Sequence, residues 1–290
     1  MTSNAPALTP QGPNAEQIER WNVTSGVKWA RNRVIIERFM AQIGAHLMAA
    51  AAPQPGETVL DIGCGAGGTS CAAAQAVGPQ GKVMGVDVSA PMLEQARAAR
   101  GTLPIEFILA DATDYPLPQG HFDLALSRFG VMFFADPIAA FTNIRRALKP
   151  GGRLAFVCWQ SVKLNSWVTV PLNAALAHVP PPEKLPPGAP GPFAFADAER
   201  TQHILSSAGF RDIAITPMTL PAPIAPPGPD SLDEATYFVS EIGPVSGVLE
   251  LADEGPREKA RDAIRVALAP LVSDKGVVLE AACWFVGARV

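Results

Sequence analysis

Between Thr58 and Ser70 the chain reads TVLDIGCGAGGTS, and its acid and glycines have the types and the spacing to hold a ligand. Gly63, Gly65 and Gly67 follow an apolar strand and precede an alanine-rich helix, a place where backbone N–H groups and the positive end of a helix face outward. That suits a nucleotide-like molecule. The glycines alone leave nicotinamide, flavin and adenosyl ligands open, because Gly63, Gly65 and Gly68 also satisfy the loose G-x-G-x-x-G pattern. Asp61 narrows the choice. Two positions before the first glycine, a carboxylate repels a pyrophosphate and attracts a cation, by about 3 kcal/mol at ~6 Å for an effective dielectric near 20. A second acid, Asp87, ends the next apolar run about 20 residues on, the spacing at which such folds hydrogen-bond ribose hydroxyls.

An alternation of strands and helices positions these residues. Apolar runs predict strands over Thr58 to Ile62, Lys82 to Val88, Ile105 to Ala110, Phe122 to Ser127 and Arg153 to Trp159. Helices lie between them, one starting at Ser89 with Pro91 in its first turn and one capped by Asp136. The pattern is that of an α/β doubly wound sheet. Upstream, Ile35, Phe39, Ile43 and Leu47 recur every four residues and mark a helix that Pro53 and Pro55 end; Trp21 and Trp29 before it serve as packing aromatics or as a flap. After Trp159 the regularity fails. A short helix over Trp167 to His178 leads into a proline run ending at Pro192, read as a loop or cover. A helix over Asp197 to Ala208, a strand over Asp212 to Met218 and a proline-rich link from Pro221 to Pro229 come next. Helices over Ser231 to Ile242 and Arg257 to Leu271 and a long strand from Val277 to Arg289 close the chain. The expected organisation is a disordered tail over 1–15 and a single domain over 16–290, with an N-terminal helical flap over 16–52 and cap insertions over 161–195 and 221–275.

With 290 residues and a net charge of −4, the chain carries no electrostatic footprint for nucleic acid. It shows no basic start with an apolar core and no run of about 18 apolar residues, so a cytoplasmic protein without an integral membrane segment is expected. Cys64, Cys71, Cys158 and Cys283 have no C-x-x-C spacing and are read as reduced thiols, with no metal site. The histidines, at 46, 121, 178 and 203, identify no general base.

The stretches VLDIGCGAGG, VMGVDVSAPML, ILADATDYPLP and LKPGGRL occur in this order. With them the chain resembles the class I S-adenosylmethionine-dependent methyltransferases, near the small-molecule branch that includes the ubiquinone/menaquinone C-methyltransferases. The similarity covers Thr58 to Trp159 closely, and Ala198 to Met218 and the last strand more loosely. It implies a Rossmann-like seven-stranded sheet of order 3-2-1-4-5-7-6 with the last strand antiparallel. It also implies S-adenosylmethionine as cofactor, whose sulfonium and ammonium answer the charge of Asp61. By that resemblance Asp61, Gly63, Gly65 and Gly67 line the methionine end, Asp87 binds the ribose hydroxyls, and Val88 and Met92 flank the adenine. Asp111 would accept from the adenine amine, the Ala112 backbone would meet a ring nitrogen, and Ser127 and Arg128 would face the amino-acid part or the substrate.

Substrate contacts are expected from the irregular segments, because ligands of open α/β sheets sit beyond the C-terminal ends of the strands. Trp29, Phe129, Phe133, Trp159, Asn165 and Trp167 are the candidate walls for a small, apolar or aromatic acceptor. Methyl transfer is an in-line displacement that needs a base only when the nucleophile keeps its proton, and no residue is assigned as catalytic. An NAD(P)-dependent oxidoreductase and a catalytically inert cofactor-binding protein stand as alternatives. A homodimer is left open.

Overall fold

The computed structural model describes residues 8–183 and 185–290. Its first helices are α1 (Ala15–Val23), α2 (Ser25–Arg31) and α3 (Arg33–Ala51). Residues 1–7 of the expected tail lie outside the described residues, and its far end is built into the fold, since Asn14 is buried and Ala15 opens α1. By length and composition α3 is apolar enough to cross a membrane, but it turns Ile36, Phe39, Met40, Ile43 and Leu47 into the core. This is the i, i+3, i+4, i+7 stripe of a helix lying on a sheet.

Four of the strands expected between Thr58 and Trp159 form within a residue of their expected bounds, β1 (Thr58–Ile62), β2 (Lys82–Asp87), β3 (Ile105–Leu109) and β4 (Phe122–Arg128), whereas β5 (Leu148–Trp159) starts five residues before the expected Arg153. All pair in parallel. In β1 every residue from Val59 to Ile62 is buried, and in β4 every residue from Leu124 to Ser127. Burial of both faces is what helices on both sides of a parallel sheet impose. Those helices are α4 (Gly68–Val77), α5 (Ala90–Ala99) and α6 (Pro137–Ala147). The start of α6 follows from its sequence: Pro137 takes the first position and the Asp136 carboxylate accepts from the Ala139 N–H.

Beyond β5 the chain adds α7 (Ser166–Ala175), α8 (Ala198–Ser207), β6 (Arg211–Ala225), α9 (Ser231–Glu241), α10 (Pro244–Glu250), α11 (Glu254–Leu268), a two-residue strand β7 (Val272–Ser273) and β8 (Gly276–Arg289). The sheet order is β3-β2-β1-β4-β5-β8-β6, with β7 paired to β8. The last strand is inserted between β5 and β6 and is antiparallel to both, as expected once the short β7 is set aside. The expected proline-rich link is also corrected. Pro221 and Pro223 do not begin a link; they continue β6 to Ala225. The reason is position, because β6 is the edge of the sheet, where a residue without an N–H costs no ladder hydrogen bond.

The late helices gather over one end of the sheet. Phe238 of α9 packs against Phe39 of α3 with ring centroids 5.0 Å apart. The N-terminal helices are also joined to α9 and α10 at the surface, by Arg31–Glu241 at 3.0 Å, Arg38–Glu234 at 3.2 Å and an ion pair from Lys28 to Glu250.

Candidate functional site

At the C-terminal ends of β1, β2 and β4 the chain leaves the sheet in turns, and between these turns and the overlying helices lies a cleft of about 1330 Å³, part of it open to solvent. Main chain builds its floor. The Gly63 N–H donates to the Val86 carbonyl at 2.8 Å, which ties the first turn to β2. A Cβ on Gly63 would sit 2.6 Å from the Gly130 Cα; the turns after β1 and β4 cross so closely that only glycine fits on either side. The Gly65 N–H donates to one carboxylate oxygen of Asp87 at 2.7 Å, and the Ser89 N–H to the other at 2.8 Å. Desolvation pushes the Asp87 carboxyl up from its ordinary value, while these backbone N–H groups pull it down.

Asp87 therefore has both oxygens fixed and lone pairs left for a ligand. Val88, Met92 and Ala112 line the cleft beside it. Arg128 enters from the end of β4, where its guanidinium meets the Glu37 carboxylate in a two-pronged contact, at 3.0 Å from Nη1 and 2.6 Å from Nη2. Glu37 lies over the start of α4, close enough that a Cβ on Gly68 would come within 2.5 Å of its oxygen.

The other end of the cleft is aromatic. Trp21 meets Trp29 edge to face at 5.6 Å and Phe133 at 5.1 Å. Phe129 stacks on Trp159 at 4.1 Å with 15° between the planes, and Trp159 touches Trp167 at 5.1 Å. Phe129 holds φ at +65°, a left-handed conformation that a side chain of this size adopts only where its surroundings enforce it.

Of the residues expected at the site, Gly63, Gly65, Asp87, Val88, Met92, Ala112, Arg128, Trp29, Phe129, Phe133, Trp159 and Trp167 line this one cleft. Five do not. Asp61 is fully buried below the loop, where the Ser70 hydroxyl donates to it at 2.6 Å and its second oxygen has no partner among the described residues. Burial pushes its carboxyl up to about 7, because desolvation penalises the charged form that the sequence suggests. Gly67 faces the other way, with a Cβ there meeting Ala96 at 3.0 Å and Phe107 at 3.1 Å; it spaces α5 and β3 from the loop.

One oxygen of Asp111, Oδ1, accepts from the Thr113 N–H at 2.9 Å, and the residue lies outside the cleft lining. Ser127 is spent inside the fold, donating to the Ile62 carbonyl at 2.7 Å and accepting from the Gly130 N–H at 3.1 Å. Asn165 brackets α7 to β8, accepting from the Ala282 N–H at 2.9 Å and from the Trp167 indole at 3.2 Å, and so orients a wall it does not form. Conversely, Asn14, Gln17, Glu37 and the turn Ile242 to Pro244 reach the cleft without having been foreseen.

Residues 60–156 match the family described as Methyltransferase domain. This core is a methyltransferase domain. Around it, the chain is 38% identical over 121 residues to aklanonic acid methyltransferase DauC of Streptomyces sp. (strain C5), covering 41% of this chain and 55% of that protein. It is 31% identical over 194 residues to nocamycin O-methyltransferase of Saccharothrix syringae, covering 60% and 66%. With 2-phytyl-1,4-naphtoquinone methyltransferase of Synechococcus elongatus the identity is 35% over 139 residues, covering 43% and 59%. The chain thus spans between half and two thirds of each. The fold around the methyltransferase domain is shared with the YcgJ protein of Bacillus subtilis, at a TM-score of 0.50 and 18% identity over 85% of this chain and 97% of that one.

Proposed function

We propose that the protein transfers a methyl group from S-adenosylmethionine to a small, apolar or aromatic molecule by in-line displacement. The observation that carries this reading is the continuity of two unlike linings within one cleft, backbone N–H groups and Asp87 at one end and aromatic rings at the other. The cofactor supplies an electrophilic methyl group on a cationic sulfur. The chain's residues suit its parts: Asp87 offers fixed acceptors to two hydroxyls, and Val88 and Met92 offer apolar faces to a base. Arg128 and Glu37, already matched to each other, present a cation to a carboxylate and an anion to an ammonium. Trp29, Phe129, Phe133 and Trp159 exclude water and hold a flat acceptor in line, and alignment alone contributes on the order of 7–11 kcal/mol to such steps. Relatives named for aklanonic acid, nocamycin and a naphthoquinone support an organic acceptor of this class.

Calorimetry with S-adenosylhomocysteine and NAD, followed by a labelled-methyl screen across phenols, quinols, carboxylates and amines, tests the proposal. Binding of S-adenosylhomocysteine without a response to NAD, and turnover of phenols or quinols, is expected. Binding of NAD alone would overturn it in favour of hydride chemistry, and methylation confined to charged amines would overturn the apolar acceptor.

A further inference from the structure

Asn22, near the end of α1, lies outside the cleft lining, yet its side-chain amide is fully used. Its Nδ2 donates to the Ile18 carbonyl at 2.7 Å and to the Val88 carbonyl at 2.8 Å, and its oxygen accepts from the Ala90 N–H at 3.0 Å. Toward the chain after β2 the amide therefore pairs as one residue of a parallel strand would, with the carbonyl before Ser89 and the N–H after it. Beside it the Ser89 hydroxyl donates to the Trp21 carbonyl at 2.6 Å. Gly26 closes the same corner, since a Cβ there would overlap both the Trp21 carbonyl oxygen and the Ser89 hydroxyl. The corner between α1 and α2 is thus hung on residues 88–90, across 66 to 68 positions of sequence.

That three-residue segment touches both linings of the cleft. On one side it follows Asp87, and the Ser89 N–H donates to the Asp87 carboxylate at 2.8 Å. On the other it carries Trp21, whose ring meets Trp29 at 5.6 Å and Phe133 at 5.1 Å. The ion pairs that tie α2 to Glu241 and Glu250 are partly exposed, and such pairs contribute little and leave long side chains free to move. The bonds of Asn22 are half-buried and run to fixed main-chain atoms, so they set position where the ion pairs do not.

We propose that Asn22 is a positioning residue: by holding the α1–α2 corner to residues 88–90 it sets the place of the Trp21 ring, and so of the acceptor wall, relative to the methyl donor. This rests on the reading in which Asp87 meets the donor and the rings meet the acceptor. In-line transfer is sensitive to such placement, because misalignment of the reacting atoms forfeits the gain from proximity. A ligand whose hydroxyls engage Asp87 holds residues 87–90 more firmly and, through Asn22, the corner above them.

The test uses the full chain and two variants that break the attachment from different sides. Asn22→Leu keeps the volume and removes all three bonds; Gly26→Ala leaves Asn22 in place and forces the corner off Ser89. Hydrogen exchange read by mass spectrometry, with S-adenosylhomocysteine as the probe, is expected to slow over residues 58–70 and 15–31 in the wild type. In both variants the slowing over 58–70 should persist and that over 15–31 should be mostly lost. S-adenosylhomocysteine affinity by calorimetry should stay within about threefold of the wild type, whereas the KM for 1-naphthol in a labelled-methyl assay should rise about fivefold to tenfold. Protection of 15–31 that survives in Asn22→Leu overturns the inference, as does a loss of S-adenosylhomocysteine affinity as large as the rise in KM, which places the effect at the donor end. A lower melting temperature with protection and KM both unchanged marks a purely structural side chain and overturns it as well. If 1-naphthol is not turned over, the exchange experiment decides alone; if neither variant folds, Ser89→Ala, which removes only the bond to the Trp21 carbonyl, should show the same loss of protection in smaller degree. Asp87→Ala serves as the reference: if it leaves S-adenosylhomocysteine binding unchanged, the reading of the cleft itself fails, independently of Asn22.

Discussion

The two ends of the cleft are built by different means. The glycine-loop end is main chain: Gly63 bonded to Val86, Gly65 bonded to Asp87, and the backbones of Gly63 and Gly130 in contact. The aromatic end is side chain, drawn from Trp21 on α1 through Trp167 on α7 to the turn before α10. A site made of backbone is set by strand register and has little freedom to vary. A site made of rings changes with each substitution. Under the proposed function the first end would select the methyl donor and the second would set acceptor preference.

The strongest challenge to that division is Trp159→Ala. Trp159 is buried against Phe129, Phe39 and Trp167, so it belongs to the core as well as to the aromatic wall. Its loss should destabilise the fold by about 3–5 kcal/mol, measured by denaturant unfolding; a loss under ~1 kcal/mol would make the ring a ligand contact only. Asp87→Ala comes next. It should weaken S-adenosylhomocysteine binding by about 2–4 kcal/mol in calorimetry and, by stranding the N–H groups of Gly65 and Ser89, lower stability by ~1–3 kcal/mol. Trp29→Ala, at the other end, should leave that binding unchanged and raise the KM for the acceptor.

A smaller effect is expected from Asp61. Its folded carboxyl titrates near 7 against an ordinary 3.8. Below the lower value both folded and unfolded chains are protonated and the group is neutral to stability. Between the two values the unfolded chain ionises first, so stability falls as pH rises toward 7 and the penalty is constant above it. Asp61→Asn should therefore match the wild type near pH 4 and gain on it by pH 7. In binding the sign reverses: an ionised Asp61 favours a sulfonium, so S-adenosylmethionine affinity should rise several-fold through pH 7, on the order of tenfold at most, while that of the uncharged-sulfur product changes less. Least affected is Glu241→Gln. Its partners Lys28, Arg31 and Arg261 are at least partly exposed, so stability should shift by less than ~1 kcal/mol, and less still at high salt.

The backbone-built end was legible because its constraints are local. Gly63, Gly65 and Asp87 are specified by a strand, a turn and a spacing, and a short segment contains them all. What a local reading misses is the direction a residue faces. Gly67 and Ser127 sit inside the right segments but point at Ala96 and Ile62. Asp61 has the charge to attract a cation, but its place in β1, paired to β2 on one side and β4 on the other, buries it and raises its pKa. The aromatic end was legible in composition only. Trp159 and Trp167 were identifiable as rings, but Asn165 is separated from the wall by its bonds to β8, which no pattern near position 165 records. Glu37 meets Arg128 across 91 residues, and α10, at seven residues, is too short to show a helical period.

The position of β8 has a consequence for how the molecule is made. β6 leaves the ribosome before β8 yet touches the rest of the sheet only through it. During synthesis β6 must therefore wait with its pairing edge open while the cap helices are produced. The aromatic end of the cleft, where Asn165 brackets α7 to β8, cannot take its final shape until that wait ends. Contacts of such long sequence separation slow folding and expose intermediates to misassociation. The nascent chain should thus complete the glycine-loop end of the cleft before its aromatic end.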